Sequence, residues 1–437
     1  MMGVKKRIYC DYAATTPVAP EVMAAMRPYF GTKFGNAGSL HWFGQEASAA
    51  VFRARQTIAG ALGCSYKEII FTGSATEANN LALRGVVRAA MKNEELRMKN
   101  ENEKSKNFHA RIIISSIEHG SVLETARDLE RDGVEVVYIP VDREGIVDVE
   151  KIRAALNECT VLVSVQYANN EIGTIQPIQE IAHIVHGFDK NIIFHTDAVQ
   201  AFQYLPCRID ELGVDLMTLS AHKIYGPKGA GLLYVRNSKH EARNTKQIQN
   251  LQFQNSNKYI SDFGFRISDL QLVAPIVTGG HQEFGMRAGT ENTPAIVGFG
   301  KAVEIVEKMR GKESVRMRGL RNYFWAKLHT IVPNAELNGS LTQRLPNNVN
   351  IYFPGHATSD LLIALDVAGV AASPGSACQA HVAEESYVVN ALHGASDRAS
   401  SSVRFTFGRG TTKADFDSVL RVIRAISRTS RIVICYH

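Results

Sequence analysis

Short apolar runs rich in β-branched residues recur along the chain at Glu68 to Thr72, Arg111 to Ser115, Val134 to Val141, Thr160 to Tyr167, Asn191 to Thr196, Asp215 to Ser220 and Gly231 to Val235. Between them, Glu77 to Met91, Ser121 to Arg131, Val149 to Leu156 and Ile178 to Val185 carry apolar residues at helical spacing. Strands and helices in alternation predict an α/β fold, a mostly parallel sheet with helices on both faces. Sheets of this kind bind ligands beyond the carboxyl ends of their strands. From about residue 310 the pattern changes to longer helices with separated strands at Val349 to Phe353 and Val403 to Phe407, which predicts a smaller α+β domain. Two stretches interrupt the order. Lys92 to Asn107 reads as a solvated helix extension or loop, and residues 238 to 270 are rich in Asn, Gln and Ser.

The composition is that of a globular protein large enough for two cores, with 437 residues, 45% hydrophobic and 21% charged. The net charge of +6 arises from 49 basic and 43 acidic residues spread along the sequence. Without a basic block interleaved with aromatics, direct nucleic-acid binding is not expected. The N-terminus, Met1-Met-Gly-Val-Lys-Lys-Arg-Ile-Tyr9, has no apolar leader core, and no stretch is long enough to span a membrane, so a cytoplasmic location is expected. The six cysteines lack the spacing of a disulfide framework or a metal site. Cys378 differs from the rest because Ala372-Ser-Pro-Gly-Ser-Ala-Cys-Gln-Ala380 reads as an irregular loop presenting one thiol.

Polar residues gather where the strands end. Lys223 ends a predicted strand, Asp215-Leu-Met-Thr-Leu-Ser-Ala-His-Lys223, and precedes the glycine-rich Ile224-Tyr-Gly-Pro-Lys-Gly-Ala-Gly231. A lysine between two core strands suits imine chemistry, or it simply extends its amine to water. Thr72-Gly-Ser-Ala-Thr-Glu77 leads from a strand into a helix, so backbone N–H groups with the Ser74 and Thr76 hydroxyls suit a phosphate; the same letters also make an ordinary helix cap. Asp197, in His195-Thr-Asp-Ala-Val-Gln200, lies at a carboxyl end and could hold a protonated ring nitrogen. An anion site, a carboxylate and a lysine are together what pyridoxal phosphate requires.

On these residues the chain resembles the cysteine desulfurases, NifS/IscS-like members of the aminotransferase-like, fold type I pyridoxal phosphate enzymes. The blocks that carry the resemblance are Tyr9-Cys-Asp-Tyr-Ala-Ala-Thr-Thr-Pro17, Thr76-Glu77, Glu118-His119, Ala168-Asn-Asn-Glu-Ile-Gly173, His195-Thr-Asp-Ala198, Ser220-Ala-His-Lys-Ile-Tyr-Gly-Pro227, Arg287-Ala-Gly-Thr-Glu-Asn292 and Gly375-Ser-Ala-Cys378. The resemblance implies a large cofactor domain at 17–309 built on a mixed, mostly parallel sheet of seven strands, and a small domain made of 1–16 and 310–437.

The resemblance also implies roles. Lys223 would bind the cofactor as an imine, Asp197 would pair with its ring nitrogen, and His119 would lie on the ring face and help move protons. Ala75, Thr76, Ser220 and His222 match phosphate positions, while Asn170 and Gln200 match positions on the ring and its 3′-oxygen side. Thr290 matches a residue that reaches the phosphate of a second subunit, which implies a homodimer. Arg404, together with Asn170, matches the substrate site, where a guanidinium would clamp the α-carboxylate of L-cysteine. Cys378 would take the substrate sulfur as a persulfide, releasing L-alanine, and relay it to an acceptor protein such as an iron–sulfur scaffold, or to tRNA or cofactor thiolation. His41 is read as structural.

The chain departs from the family pattern at Gly73-Ser74, where the two residues are exchanged, at Pro374, in the 238–270 insertion, and in a short C-terminus after Arg431. A selenocysteine lyase would share almost every residue, and a non-catalytic sulfur-carrier platform would share the fold.

Overall fold

The structure is a computed structural model that describes residues 7–101, 109–237, 272–375 and 385–433, with the side chains of 96–101 and 428–433 excepted. The insertion at 238–270, residues 102–107 and Cys378 lie outside the described residues.

In chain order the strands are β1 (Ile8–Tyr9), β2 (Ile69–Thr72), β3 (Arg111–Ser115), β4 (Glu135–Ile139), β5 (Thr160–Ser164), β6 (Ile193–Asp197), β7 (Leu216–Ser220), β8 (Gly231–Val235), β9 (Glu336–Leu337), β10 (Asn348–Tyr352), β11 (Val370–Ala371) and β12 (Ser402–Thr406). The helices that precede and cover the main sheet are α1 (Pro20–Met26), α2 (Trp42–Leu62), α3 (Ala75–Glu101), α4 (Gly120–Arg131), α5 (Val149–Ala155), α6 (Ile178–Phe188) and α7 (Ile209–Leu212). The later ones are α8 (Thr293–Ile331), α9 (Thr358–Val367), α10 (Tyr387–His393) and α11 (Lys413–Val433).

Seven strands form one sheet in the order β2-β8-β7-β6-β5-β3-β4, parallel except that β8 runs against both of its neighbours. The apolar runs are continuous because both faces are covered. Phe71, Ile113, Val163, Phe194, Met217 and Leu232 belong to the core on one face, and Ile70, Ile112, Leu162, Ile193, Leu216 and Leu233 to the core on the other. Each strand thus contributes to both cores by its two-residue alternation. The consequence for function is geometric. Thr72, Ser115, Ser164, Asp197 and Ser220 all end strands at one edge, and Gly231, paired with both Thr72 and Ser220, begins β8 there.

A second sheet, β12-β10-β9, is antiparallel, and β1 pairs in parallel with β11, so the N-terminal segment joins the C-terminal part of the chain. The 39-residue α8 runs unbroken through positions 309 and 310. Its start is capped by Asn292, whose Oδ1 accepts from the Ala295 N–H at 3.2 Å. Near its far end Phe324 packs against Phe405, Phe407 and Phe416 at ring distances of 5.4, 5.4 and 4.9 Å. No helix among the described residues is long and apolar enough to cross a membrane. Lys92 to Glu101 continue α3 as the helix extension that their composition allowed.

One buried ion pair ties the outer layer to the sheet. The Arg55 guanidinium on α2 donates to both oxygens of Glu283 at 2.8 and 2.7 Å, and Glu283 Oε2 also accepts from the Phe71 N–H of β2 at 2.8 Å. Both residues are buried. Replacing Glu283 by Ala leaves a buried cation and a strand N–H without their acceptor, so stability measured by urea unfolding should fall by about 3–5 kcal/mol. A loss within about 0.5 kcal/mol would show that the pair is solvent-screened.

Candidate functional site

The carboxyl edge of the seven-stranded sheet is where the polar residues converge. Asp197 is the last residue of β6, and its Oδ2 accepts from Asn79 Nδ2 at 2.8 Å while its Oδ1 accepts from the Val199 N–H at 3.0 Å. Asn79 donates equally to Ser121 Oγ at 2.8 Å, and Ser121 Oγ lies 2.8 Å from His119 Nδ1. His119 caps α4, its Nδ1 accepting from the Ser121 N–H at 3.1 Å. Accepting there leaves the proton of the neutral ring on Nε2. A single chain of contacts therefore joins His119, Ser121, Asn79 and Asp197.

Lys223 stands three residues beyond β7, in a short 3₁₀ turn, Ala221–Lys223, so the strand itself ends earlier than Lys223. Its Nζ donates to the carbonyls of Ala13 and Ala14 at 2.5 and 2.8 Å. Gln200 Nε2 donates to the same Ala13 carbonyl at 3.0 Å, which brings Gln200 and Lys223 to one point. His222, beside Lys223, bonds Thr15 Oγ1 through Nδ1 at 3.1 Å. Burial and then the charges of Lys223 and Lys228 pull its pKa down to about 4, so its ring is neutral at neutral pH. The segment from Ala13 to Thr16 thus lies across the ends of β6 and β7.

The turn between β2 and α3 lies on the other side. Ser74 Oγ accepts from the Glu77 N–H at 3.1 Å, and Glu77 Oε2 accepts from the Gly73 N–H at 2.8 Å. Ser74 therefore caps the helix, with its O–H still able to donate. Thr76 remains exposed on the first turn of α3. Gly231 permits the close approach of this turn, since a Cβ on it would stand 2.6 Å from the Ser74 carbonyl oxygen and 2.7 Å from the Ala75 nitrogen. Arg287 Nε reaches Glu77 Oε1 at 2.7 Å, which draws the Arg287 to Asn292 block to the same helix start. Thr290, in that block, is exposed.

Arg404 enters from β12 and has only 1% of its surface exposed. Its Nη1 donates to the carbonyls of Asn170 and Gly375 at 2.8 and 2.6 Å, and its Nη2 to Asp11 Oδ1 at 2.7 Å. Its Nε and the buried Oδ1 of Asn170 have no partner among the described residues. An unpartnered donor and acceptor in so polar a place match what a bound carboxylate and a ring substituent would satisfy.

Two buried carboxyls complete the neighbourhood. Glu118 Oε1 accepts from the Gln166 N–H at 2.7 Å, and burial, with the charge of Asp197 adding to it, pushes its pKa well up. Glu171 is also buried, and its pKa is raised by burial against the opposing effects of a Ser386 hydrogen bond and the charges of Arg404 and His119.

Pyridoxal phosphate fits this set. Exposed backbone and Thr76 at the start of a long helix suit the phosphate, the Asp197 carboxylate suits a ring cation, and the Lys223 amine suits an imine. His41 is structural, its Nδ1 accepting from the Gly44 N–H at 3.3 Å to cap α2. Asn79, Asp11, Glu118 and Glu171 were not singled out from the sequence. Asn79 lies one helical turn after Ala75, a spacing that would have pointed it toward the same sheet edge.

Comparison with known proteins agrees with this geometry. Residues 8–419 match the family described as Aminotransferase class-V. The chain is 41% identical over 433 residues to the cysteine desulfurase IscS of Dictyoglomus turgidum, covering 99% of this chain and 98% of that one. It is 39% identical over 430 residues to the cysteine desulfurase IscS of Clostridium botulinum, covering 98% and 96%. Among solved structures, a NifS-like protein superposes with a TM-score of 0.80 at 31% identity, covering 97% of this chain and all of its own.

Gly231→Ala should push the Ser74–Ala75 backbone out of place without unfolding the sheet. Titration of the apoprotein, followed by cofactor absorbance, should show affinity at least about tenfold weaker, as a displaced backbone N–H cluster would give. Unchanged affinity would mean that this turn does not hold the cofactor.

Proposed function

Since the chain belongs to the class-V aminotransferases as a pyridoxal phosphate-dependent cysteine desulfurase, we propose that Lys223, Asp197, His119, Arg404 and Cys378 carry its chemistry. The observation that supports this most is the unbroken run of contacts from His119 through Ser121 and Asn79 to Asp197. Gln200, three residues after Asp197, shares the Ala13 carbonyl with Lys223.

Bound pyridoxal phosphate supplies an electron sink for the substrate Cα, which opens the Cβ–S bond of L-cysteine to attack. Asp197, fixed by Asn79 and the Val199 N–H, would serve as the partner of the protonated ring nitrogen. Ala75, Thr76, Ser220 and His222 would hold the phosphate, with His222 neutral. Lys223 Nζ would be the amine that binds the cofactor and, once released, would hold or move a proton at the substrate. His119 would assist in proton transfer. Arg404 would receive the substrate α-carboxylate on its remaining donors, Nε and one Nη2 N–H, with Asn170 alongside. The Cys378 thiolate attacks the substrate sulfur: a sulfur–sulfur bond forms as the Cβ–S bond breaks, and a proton reaches carbon to give L-alanine. The persulfide then passes its outer sulfur to an acceptor protein, with iron–sulfur cluster assembly the favoured destination.

We also propose a homodimer in which Thr290 serves the partner's phosphate site. Its support is a group of exposed apolar side chains close in sequence, Phe30, Phe34, Leu40 and Trp42, with Leu40 82% and Trp42 65% exposed. Exposed apolar groups that gather on a surface mark interaction faces. A small domain of residues 1–16 with 310–437 is part of this proposal, supported by the pairing of β1 with β11, although its 309/310 boundary falls inside α8.

Cys378→Ser holoenzyme should bind cofactor normally and still change absorbance when L-cysteine is added, yet form alanine at least about a thousandfold more slowly, since its nucleophile is gone. Wild-type alanine formation in that variant would remove Cys378 from the reaction. Arg404→Lys, which keeps the charge but loses the planar fork, should raise KM for cysteine about tenfold or more in steady-state assays. An unaltered KM would place the carboxylate elsewhere.

A further inference from the structure

The turn that carries Lys223 is held from outside by a segment 206 to 209 positions earlier in the chain. The Thr16 N–H donates to the His222 carbonyl at 2.9 Å, and the Ala19 N–H donates to the Tyr225 carbonyl at 3.0 Å. Between these two main-chain bonds stands the Thr16 hydroxyl. Its O–H donates to the same His222 carbonyl at 2.9 Å, and its oxygen accepts from the Tyr225 N–H at 2.8 Å. One side chain therefore closes the turn across Lys223, from the residue before it to the second residue after it. Thr16 has only 6% of its surface exposed, so these bonds are not readily exchanged for bonds to water.

Tyr225 shows why the turn needs holding. Its φ is +66°, in the left-handed region, which a residue with a bulky side chain adopts only where its surroundings fix it. The far end of that side chain is also held. Its hydroxyl accepts from the Arg409 N–H at 2.6 Å, and the Arg409 guanidinium carbon lies 4.2 Å from the ring centroid. With the ring held by Arg409 and the N–H by Thr16, the backbone leaving Lys223 is fixed at both ends of one residue. The Lys223 side chain runs to the same N-terminal segment, where its Nζ donates to the Ala13 and Ala14 carbonyls. An imine nitrogen carries at most one hydrogen, so Nζ cannot keep both bonds once it joins an aldehyde. The Thr16 bonds reach only main chain, and nothing in that step requires them to break.

We propose that Thr16 is a positioning residue for imine formation, its hydroxyl fixing the main chain on both sides of Lys223 so that the amine meets the cofactor aldehyde in one geometry. In that step the neutral amine adds to the aldehyde carbon, a C=N bond forms, and the aldehyde oxygen leaves as water. Without the hydroxyl, the buried Tyr225 N–H loses its acceptor and the turn shifts. Asp197 and the turn between β2 and α3 are held by other residues and stay in place. Covalent attachment is therefore separable from occupancy of the site. The inference rests on the assignment of Lys223 as the cofactor amine.

The test uses apoprotein of the wild type, of Thr16→Val, which keeps the branched shape without the hydroxyl, and of Thr16→Ser, which keeps the hydroxyl without the branch. Pyridoxal phosphate is added, the imine is trapped with borohydride at successive times, and the modified peptide is located by mass spectrometry. Affinity for pyridoxamine phosphate, which has no aldehyde and forms no imine with the protein, is measured alongside by absorbance. In Thr16→Val, imine formation should slow about tenfold, as loss of orientation predicts, while pyridoxamine phosphate affinity stays within about twofold of wild type. Thr16→Ser should form the imine within about threefold of the wild-type rate. Should Thr16→Val not fold, Thr16→Ala is read by the same two measures. Wild-type imine formation without the hydroxyl overturns the proposal, as does a slowing matched by an equal loss of pyridoxamine phosphate affinity. Failure of Thr16→Ser to retain the rate overturns it too. Reduced cofactor on a lysine other than Lys223 in the wild type overturns the assignment of Lys223 itself, and this proposal with it.

Discussion

The burial of one guanidinium organises the molecule around its site. Arg404, almost wholly removed from water, must find partners for its donors, and it takes them from three places far apart in the chain: Asp11, the Asn170 carbonyl and the Gly375 carbonyl. Removing any of these would leave a buried cation under-satisfied, at a cost of several kcal/mol. The N-terminal segment, the turn after β5 and the approach to Cys378 are therefore held to one another by the same side chain. Its Nε is left without a partner among the described residues, which agrees with the substrate-carboxylate role proposed for Arg404.

The sheet edge supplies the other half of the arrangement. Parallel strands bring Asp197 and Ser220 to the same side, and the reversed β8 places Gly231 between Ser220 and Thr72. Packing alone would achieve that alignment, but the polar contacts refine it. Asn79 fixes Asp197 and, through Ser121, His119, while the Ala13 carbonyl gathers Gln200 and Lys223. Site residues from five separate stretches are thus linked by hydrogen bonds among themselves before any ligand is considered, the preorganisation a cofactor enzyme needs.

Much of this was legible in the sequence, and for a physical reason. Strands buried on both faces must be apolar throughout, so the runs from Glu68 to Val235 announced the sheet to within a few residues. The strand-end positions of Asp197 and Ser220 and the turn between β2 and α3 were legible because strand ends and glycines occur in fixed local order. Ser74 was ambiguous because a cap and an anion ligand use the same hydroxyl, and the structure shows it capping the helix through the Glu77 N–H. Lys223 was placed at a strand end, whereas a 3₁₀ turn intervenes, because Ala221 and His222 do not break an apolar pattern. Asn79, Asp11 and Glu171 were silent because their contacts join residues 42 to 393 positions apart, which no local spacing encodes.

The central claim is that this edge delivers the sulfur of L-cysteine to Cys378. The most direct measurement is a single turnover of the cofactor-loaded protein with L-cysteine, followed by peptide mass spectrometry and an assay for alanine. The account predicts one added sulfur on the Cys378 peptide, removable by a thiol reductant, in step with one equivalent of alanine per site. Alanine released with no sulfur on Cys378, or sulfur carried by another cysteine, would contradict it.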